Sequence, residues 1–414
     1  MKGSLLKKFL CTCLVTAAAF AATTISASAC TTIYVGGDLV EEGTPFVART
    51  EDYGSDYNKL WFISESGKWK QGDHYVGCPE YGPFEWDFTH DSYRFTYFTN
   101  DIYYDGICPE CGEKADHYSY TEFGTNEKGV SVSATETLYG NEKVTEADPY
   151  RDAEWAEANK SERIGIEETD IPTIILAEAS SAREGVKLLL DIYENYGCVA
   201  ASGVFVCDKD EVWYVENCSG TQYVAIKLND NMIFLEPNMA VIGRIDLDDE
   251  NVIASKDLIA VAKKAGTFVG DEAKNIIDFR ASYARISEKM DQRMIDGLNY
   301  LNAAYKYDSD ALVADNTKFT ISNLDASDKL VALYTNIKAD RKLDKDDVFG
   351  YYKLSSIGKA SNQEIEIFQL FKDRPVETAT VGWVGVGNMS YNVFVPYYPM
   401  LIDSCLLYTS PSPR

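Results

Sequence analysis

The stretch Ala27-Ser-Ala-Cys-Thr-Thr-Ile-Tyr-Val35 decides how the chain is read. Its first three residues form a small-x-small pattern, the fourth is cysteine, and the β-branched and aromatic run behind it reads as a strand. Upstream, Lys2, Lys7 and Lys8 flank an apolar run over residues 9–22, so residues 1–29 read as a secretory signal peptide cut after Ala29. That run falls short of the roughly 20 residues needed to span a bilayer, and no later segment reads as a membrane span. Cys30 then becomes the first residue of an exported, secreted or cell-surface protein, in a compartment where disulfides are stable.

Beyond Cys30 the pattern stays strand-like over 31–35, 45–50 and 59–64, which predicts an antiparallel meander. Residues 66–120, rich in Gly, Pro, Tyr and Cys, read as a loop-rich insertion. Strand character returns over 122–138 around a turn at 126–129. Helical periodicity covers 173–196, strands fit 203–206, 211–216 and 223–228, and further helices fit 254–265 and 282–304. Late strands fit 365–371, 381–386 and 391–396. Strands and helices come in blocks without βαβ alternation, which predicts an α+β layered sandwich. Residues 30–404 read as one domain. The ending at 405–414 follows strand-like sequence without turn logic and reads as an artefactual tail on a C-terminally truncated chain.

The chain has 414 residues, 45% of them hydrophobic and 25% charged, enough to bury a sizeable core. Its 39 basic and 65 acidic residues give a net charge of −26, a field that repels phosphate backbones and argues against a nucleic-acid partner. Of ten cysteines, Cys11 and Cys13 lie in the signal peptide and Cys405 in the tail. Cys78, Cys108, Cys111, Cys198, Cys207 and Cys218 form an even set that up to three disulfides would satisfy, with no connectivity readable. Cys108-Pro-Glu-Cys111 near His74, His90 and His117 resembles half of a zinc knuckle, but a closed site wants four ligands and a second Cys-x-x-Cys is missing. The acidic run over 340–347 lacks the Gly and terminal Glu of a calcium loop and reads as solvated. Neither a metal nor another cofactor is expected.

A cysteine at the cleavage point carries two reactive groups, a thiol and a free α-amine able to act as its base. The only histidines lie in the loop-rich region, so no Cys-His pair is evident. The bland alternative makes Cys30 a disulfide cysteine near a terminus.

Ala29-Cys-Thr-Thr-Ile33 followed by Arg49-Thr-Glu-Asp52 resembles the dipeptidase family of N-terminal nucleophile (Ntn) cysteine hydrolases, related to penicillin V acylase and choloylglycine hydrolase. Phe123-Gly-Thr-Asn-Glu-Lys-Gly-Val130, Glu211-Val-Trp-Tyr-Val-Glu216, Asn238 with Ile242-Gly-Arg-Ile-Asp-Leu-Asp-Asp249, and Glu366-Ile-Phe-Gln369 with residues 391–399 extend the likeness in order along the chain.

The resemblance implies a four-layered αββα fold with Cys30 as nucleophile and Arg49 beside its thiolate. Asp52 would orient the α-amine, although a straight strand puts Arg49 and Asp52 on opposite faces, so a local bend after Arg49 is expected. Asn126, exposed at its turn, and Asn238 would donate to the oxyanion. Arg293 stands where the family has a substrate-binding arginine. Taken singly, Arg49 with Asp52 also reads as a surface ion pair, Asn126 as a turn former and Asn238 as a loop residue.

Three readings follow. The first is an exported cysteine-type dipeptidase acting on small peptides, with homo-oligomerisation left open. The second is an acylase of penicillin-, bile-salt- or N-acyl-amino-acid-like amides. The third is a non-catalytic, disulfide-stapled secreted binding protein.

Overall fold

The computed structural model describes residues 30–53, 59–77, 84–100, 121–136, 138–311, 317–324 and 333–403. Residues 1–29 and 404–414, expected to be a signal peptide and a tail, lie outside the described residues, as do Cys78, Cys108, Cys111 and His117.

In chain order the strands are β1 (Thr31–Val35), β2 (Phe46–Asp52), β3 (Lys59–Ser64), β4 (His74–Val76), β5 (Glu85–Asp87), β6 (Phe95–Asn100), β7 (Phe123–Asn126), β8 (Ser131–Thr135), β9 (Gly203–Cys207) and β10 (Val212–Asn217). They continue as β11 (Tyr223–Lys227), β12 (Ile233–Glu236), β13 (Arg244–Asp246), β14 (Val252–Ala254), β15 (Gly270–Asp271), β16 (Ile276–Asp278), β17 (Asn362–Leu370), β18 (Thr380–Val386) and β19 (Val395–Tyr397). The helices that cover them are α1 (Ile171–Glu178), α2 (Ala182–Asn195), α3 (Leu258–Ala265), α4 (Gln292–Leu301) and α5 (Lys345–Tyr352).

Two large antiparallel sheets dominate, one of six strands in the order β12-β1-β2-β17-β18-β19 and one of eight in the order β14-β11-β10-β9-β8-β7-β6-β3. The predicted meander is therefore corrected. β1 and β2 pair as expected, but β3 leaves for the second sheet, where it pairs with β6.

Period-two alternation sorts the side chains between different cores. Tyr34, Val47 and Phe368 of the first sheet share one core with Phe123, Phe205 and Tyr214 of the second. The alternate residues Ile33, Ala48, Ile365 and Ile367 pack instead with Met294 and Leu298 of α4 and Tyr351 of α5. On the second sheet, Val132, Val204 and Val215 face Ile174 and Ile175 of α1 and Leu189 of α2. The result is a mixed α/β molecule whose sheets are both well buried. Among the described residues no helix is long and apolar enough to cross a membrane.

Local chemistry explains where the helix boundaries differ from expectation. The helix over 173–196 divides into α1 and α2 because the Ser181 hydroxyl accepts from the Glu184 N–H at 3.2 Å while the Glu184 carboxylate accepts from the Ser180 N–H at 2.8 Å, a reciprocal cap. The helix over 254–265 starts later, at Leu258, because Val252–Ala254 is drawn into the sheet beside β11. That over 282–304 becomes a short turn Phe279–Tyr283 and α4, which begins where Asp291 accepts from the Arg293 N–H at 2.8 Å. The 391–396 strand is a 3₁₀ turn, Met389–Tyr391, ahead of β19. Within the acidic run, Asp344 and Asp347 form a capping box that starts α5.

The disulfide expectation is also corrected in part: Cys198, Cys207 and Cys218 are buried free thiols. Asn217 donates to the Cys198 sulfur at 3.0 Å, so that cysteine serves as a hydrogen-bonded core residue. Among the zinc candidates, His74 sits 2.8 Å from Asp87, whereas His90 bonds the Glu178 carbonyl at 3.0 Å.

Candidate active site

Cys30 lies at the entrance to β1 and is only 3% exposed. Because Thr32 pairs with Arg49 and Arg49 in turn with Glu366, three neighbouring strands set the surroundings of the thiol. Arg49 points between the sheets, the side taken by Val47 and Phe368, and places Nη1 4.0 Å from the Cys30 sulfur. The other two guanidinium nitrogens are held: Nε donates to Ser133 Oγ at 2.6 Å and Glu366 Oε1 at 2.9 Å, and Nη2 donates to the Glu122 carbonyl at 3.3 Å. Arg49 is 1% exposed, so the surface-ion-pair alternative is excluded.

Asp52 is 1% exposed. It accepts from the Asn362 side chain and pairs with Lys359 Nζ at 3.1 Å. Burial raises its carboxyl above the ordinary value, against the lowering effects of Lys359, Asn362 and Arg293. The expected bend after Arg49 does not occur, since β2 runs unbroken to Asp52. The irregularity lies on the neighbouring strand, where β17 slips register between Asn362 and Glu364. Arg49 and Asp52 nevertheless both act on Cys30, which sits at a strand end where side chains from both faces approach.

The Cys30 thiol is pushed up to about 11 by burial, against the opposing pull of Arg49; Asp52 and Glu168 raise it further, and Thr135 favours the ionised form. The expected lowering by Arg49 is therefore present but outweighed by desolvation in the chain that still carries residues 1–29.

Arg293, expected to contact substrate, reaches the backbone of Cys30. It is 7% exposed and donates to the Cys30 carbonyl at 2.7 Å, to Thr31 Oγ1 at 3.2 Å, to the Pro237 carbonyl at 3.0 Å and to Asn238 Oδ1 at 2.7 Å. Asp291 neutralises it at 2.9 Å. These hydrogen bonds fix the backbone of Cys30 and the side chain of Asn238. Asn238 has a φ of +56°, a left-handed conformation that asparagine tolerates better than most residues.

The exposure expected of Asn126 is corrected. It is fully buried rather than exposed, and its amide donates to the Leu176 and Ala179 carbonyls at 3.0 and 2.7 Å. Its Oδ1 accepts from Lys128 and Val130 N–H, both at 3.0 Å. The side chain therefore ties the turn to the end of α1, with Gly129 at φ +85° closing the turn, and both amide hydrogens are committed away from any oxyanion.

Several residues around Cys30 escaped the sequence reading. Ser133, Glu122 and Glu366 hold Arg49, and Thr135 and Glu168 act on the thiol. Glu364 and Glu366 did leave a signal, two acids at a two-residue spacing interleaved with the apolar Ile365 and Ile367. Glu51, Glu122 and Glu364 converge close enough to share a cation, and Lys59 Nζ forms ion pairs with all three. The ammonium thus supplies the compensating charge. A surface cavity bounded by Tyr34, Glu211, Lys227, Asp230 and Lys372 lies toward the far end of β1, and Cys30 does not line it.

The model of peptidase family C69 matches residues 29–413. The chain is 30% identical over 390 residues to a probable dipeptidase B of Streptococcus pyogenes serotype M1, covering 89% of this chain and 72% of that protein. It is 28% identical over 380 residues to a probable dipeptidase of Salmonella dublin, covering 89% and 81% respectively. It is also 26% identical over 392 residues to a dipeptidase of Bifidobacterium longum strain NCC 2705, covering 90% and 71%.

Proposed function

Because the chain belongs to peptidase family C69, we propose that it is an exported dipeptidase in which Cys30, freed by removal of residues 1–29, is an N-terminal nucleophile. The observation that carries this reading is the buried Arg49 guanidinium 4.0 Å from the Cys30 sulfur, at the head of a central strand. The three cores, one between the sheets and one on each outer face, support a four-layered αββα arrangement of the Ntn type. Cutting after Ala29 converts the Cys30 amide into an amine whose protonated form lowers the thiol, counteracting burial.

In the proposed reaction the α-amine takes the thiol proton and the sulfur attacks the peptide carbonyl. The tetrahedral oxyanion is met by the Asn238 amide, which Arg293 orients through the Asn238 oxygen. The amine returns the proton to the departing amino group, leaving a thioester that water hydrolyses. Asp52, held by Asn362 and Lys359, orients the α-amine.

The test measures dipeptide hydrolysis alongside the mass of the mature N-terminus. A chain beginning at Cys30 should cleave dipeptides in preference to penicillin V or a conjugated bile salt, and Cys30→Ala should be inactive. Full activity in purified Cys30→Ala protein, or an active enzyme starting upstream of Cys30, would falsify the reading.

A further inference from the structure

Asn238 sits in a turn that its own backbone does not favour. Its φ of +56° is sparsely populated by residues other than glycine, so the surroundings must hold it there. Pro237 before it has a fixed φ and no N–H, and so adds no hydrogen bond from its own nitrogen. The turn over residues 236–239 therefore depends on side chains for its shape.

Glu236, the last residue of β12, supplies one restraint from inside the sheet. β12 pairs with β1 so that Glu236 lies directly opposite Thr32, two residues past Cys30. Alternation puts this pair on the face of Tyr34 and Phe234, between the two large sheets, and Glu236 is wholly buried. Its Oε2 accepts from the Thr32 hydroxyl at 2.9 Å, and its Oε1 accepts from the Met239 N–H at 3.2 Å. One carboxylate thus ties the residue after Asn238 to the strand that follows Cys30.

Arg293 supplies a second restraint. A guanidinium carries only donors, so the Asn238 amide turns its oxygen toward it, and the same Nη1 bonds Asn238 Oδ1 and the Cys30 carbonyl, both at 2.7 Å. Arg293 fixes which way the amide is turned, whereas Glu236 fixes where its backbone stands relative to β1. Further along, the Glu216 carboxylate of β10 accepts from the Val241 and Ile242 N–H groups at 2.6 and 3.1 Å, which anchors the other end of the segment. An oxyanion donor has its full effect only at about 2.7–3.1 Å from the developing charge, so displacement of this turn falls on the transition state more than on the bound substrate.

Resting on the reading of Asn238 as oxyanion donor, we propose that Glu236 is a positioning residue of the reaction: its carboxylate clamps the turn to β1 and holds the Asn238 amide in register with the carbonyl that Cys30 attacks.

The experiment measures kcat and KM for L-alanyl-L-alanine in the mature wild type, Glu236→Ala, Glu236→Gln, Asn238→Ala and the double variant Glu236→Ala/Asn238→Ala. Asn238→Ala should lower kcat by about 10²–10³-fold, the worth of one oxyanion donor. Glu236→Ala should lower kcat by about 10- to 100-fold with KM near the wild-type value, the effect of a donor moved by about 1 Å. Glu236→Gln should recover most of that loss, because its oxygen can still accept from the Met239 N–H while its amide donates to the Thr32 hydroxyl oxygen. In the Asn238→Ala background, Glu236→Ala should cost less than about twofold more, since the donor it positions is gone. Iodoacetamide should alkylate Cys30 in Glu236→Ala at the wild-type rate. Thr32→Val, which breaks only the tie to β1, should lower kcat by about 3- to 10-fold with the same dependence on Asn238, and it carries the test if the alanine variant does not fold. Equal losses with and without Asn238, or a raised KM at unchanged kcat, overturn the positioning role and leave Asn238 as donor. Undiminished kcat in Asn238→Ala overturns the donor reading and the proposal with it, and a wild type that cleaves no dipeptide overturns the activity itself.

Discussion

Replacing Arg49 by Met tests the link between the buried guanidinium and the Cys30 thiol. A unit charge 4.0 Å from the sulfur, in surroundings of effective dielectric about 20, is worth roughly 4 kcal/mol, equivalent to about 3 pKa units. That is an upper figure, because Glu366 sits 2.9 Å from the same guanidinium. Burial already pushes Glu366 up to about 7 with Arg49 opposing it, so losing the arginine protonates the carboxyl. The variant therefore loses a pair rather than a single charge, and the thiol should rise by about 1–2 units.

Below the thiol pKa, each unit of rise reduces the thiolate tenfold, while the remaining thiolate becomes roughly threefold more nucleophilic at a Brønsted slope near 0.5. Alkylation of Cys30 by iodoacetamide at pH 8, followed by mass analysis of the Cys30 peptide, should thus slow by about 3- to 11-fold. Glu366→Gln should act in the opposite direction, because it leaves the arginine charge uncompensated. Breaking a buried pair can cost about 3–5 kcal/mol, so the doubly neutral Arg49→Met/Glu366→Gln protein serves as the folded control. Alkylation of folded Arg49→Met at the wild-type rate would refute the electrostatic argument.

Asn126→Ala removes two donors and an acceptor that join the β7–β8 turn to α1, and should destabilise the protein by roughly 2–4 kcal/mol in urea titration while leaving Cys30 alkylation unchanged. A loss of turnover without loss of stability would return Asn126 to the catalytic set. Burial would raise Glu211, but hydrogen bonds from Arg183, Trp213 and Lys227 prevail and hold it down at about 2 from its ordinary 4.5. Its contribution to stability is complete above about pH 4.5 and disappears as pH falls toward 2. Glu211→Gln should therefore flatten the stability–pH curve across that window, and parallel wild-type and variant curves would contradict the assignment.

What could be read from the sequence was whatever neighbouring residues determine. The strand after Cys30, the turn closed by Gly129 and the strands around 203–228 follow from period-two patterning and turn chemistry. Arg49 could be named as a partner of Cys30, but not the Glu366 that holds it from 317 positions away. Asn126 misled because asparagine before a glycine turn is usually exposed, whereas here α1 closes over it. The position of Arg293 pointed toward substrate, yet four acceptors around Cys30 and Asn238 occupy its guanidinium. Glu236 carries no pattern of its own. It acquires meaning only when β12 pairs with β1 and sets it opposite Thr32.

The strands around Cys30 also explain why charges are buried between the sheets. β2 and β17 direct Arg49, Glu51, Glu364 and Glu366 toward the second sheet, which supplies Lys59, and Glu122 stands at the threshold of β7. Burial and the nearby Glu122 charge push Glu364 above the ordinary carboxylate range, with Lys59 opposing them. Burial opposes the Arg49 charge, but the carboxylates around it, Glu366 foremost, prevail and keep the guanidinium a cation beside Cys30. An apolar cluster of the same volume would stabilise the sheet interface as well or better. It would not orient a guanidinium, because only directional hydrogen bonds to Ser133, the Glu122 carbonyl and Glu366 fix the plane from which Nη1 reaches the sulfur. Reactivity at Cys30 is therefore tied to the packing of one sheet against the other, and a substitution at Lys59, which does not touch the thiol, should perturb both together.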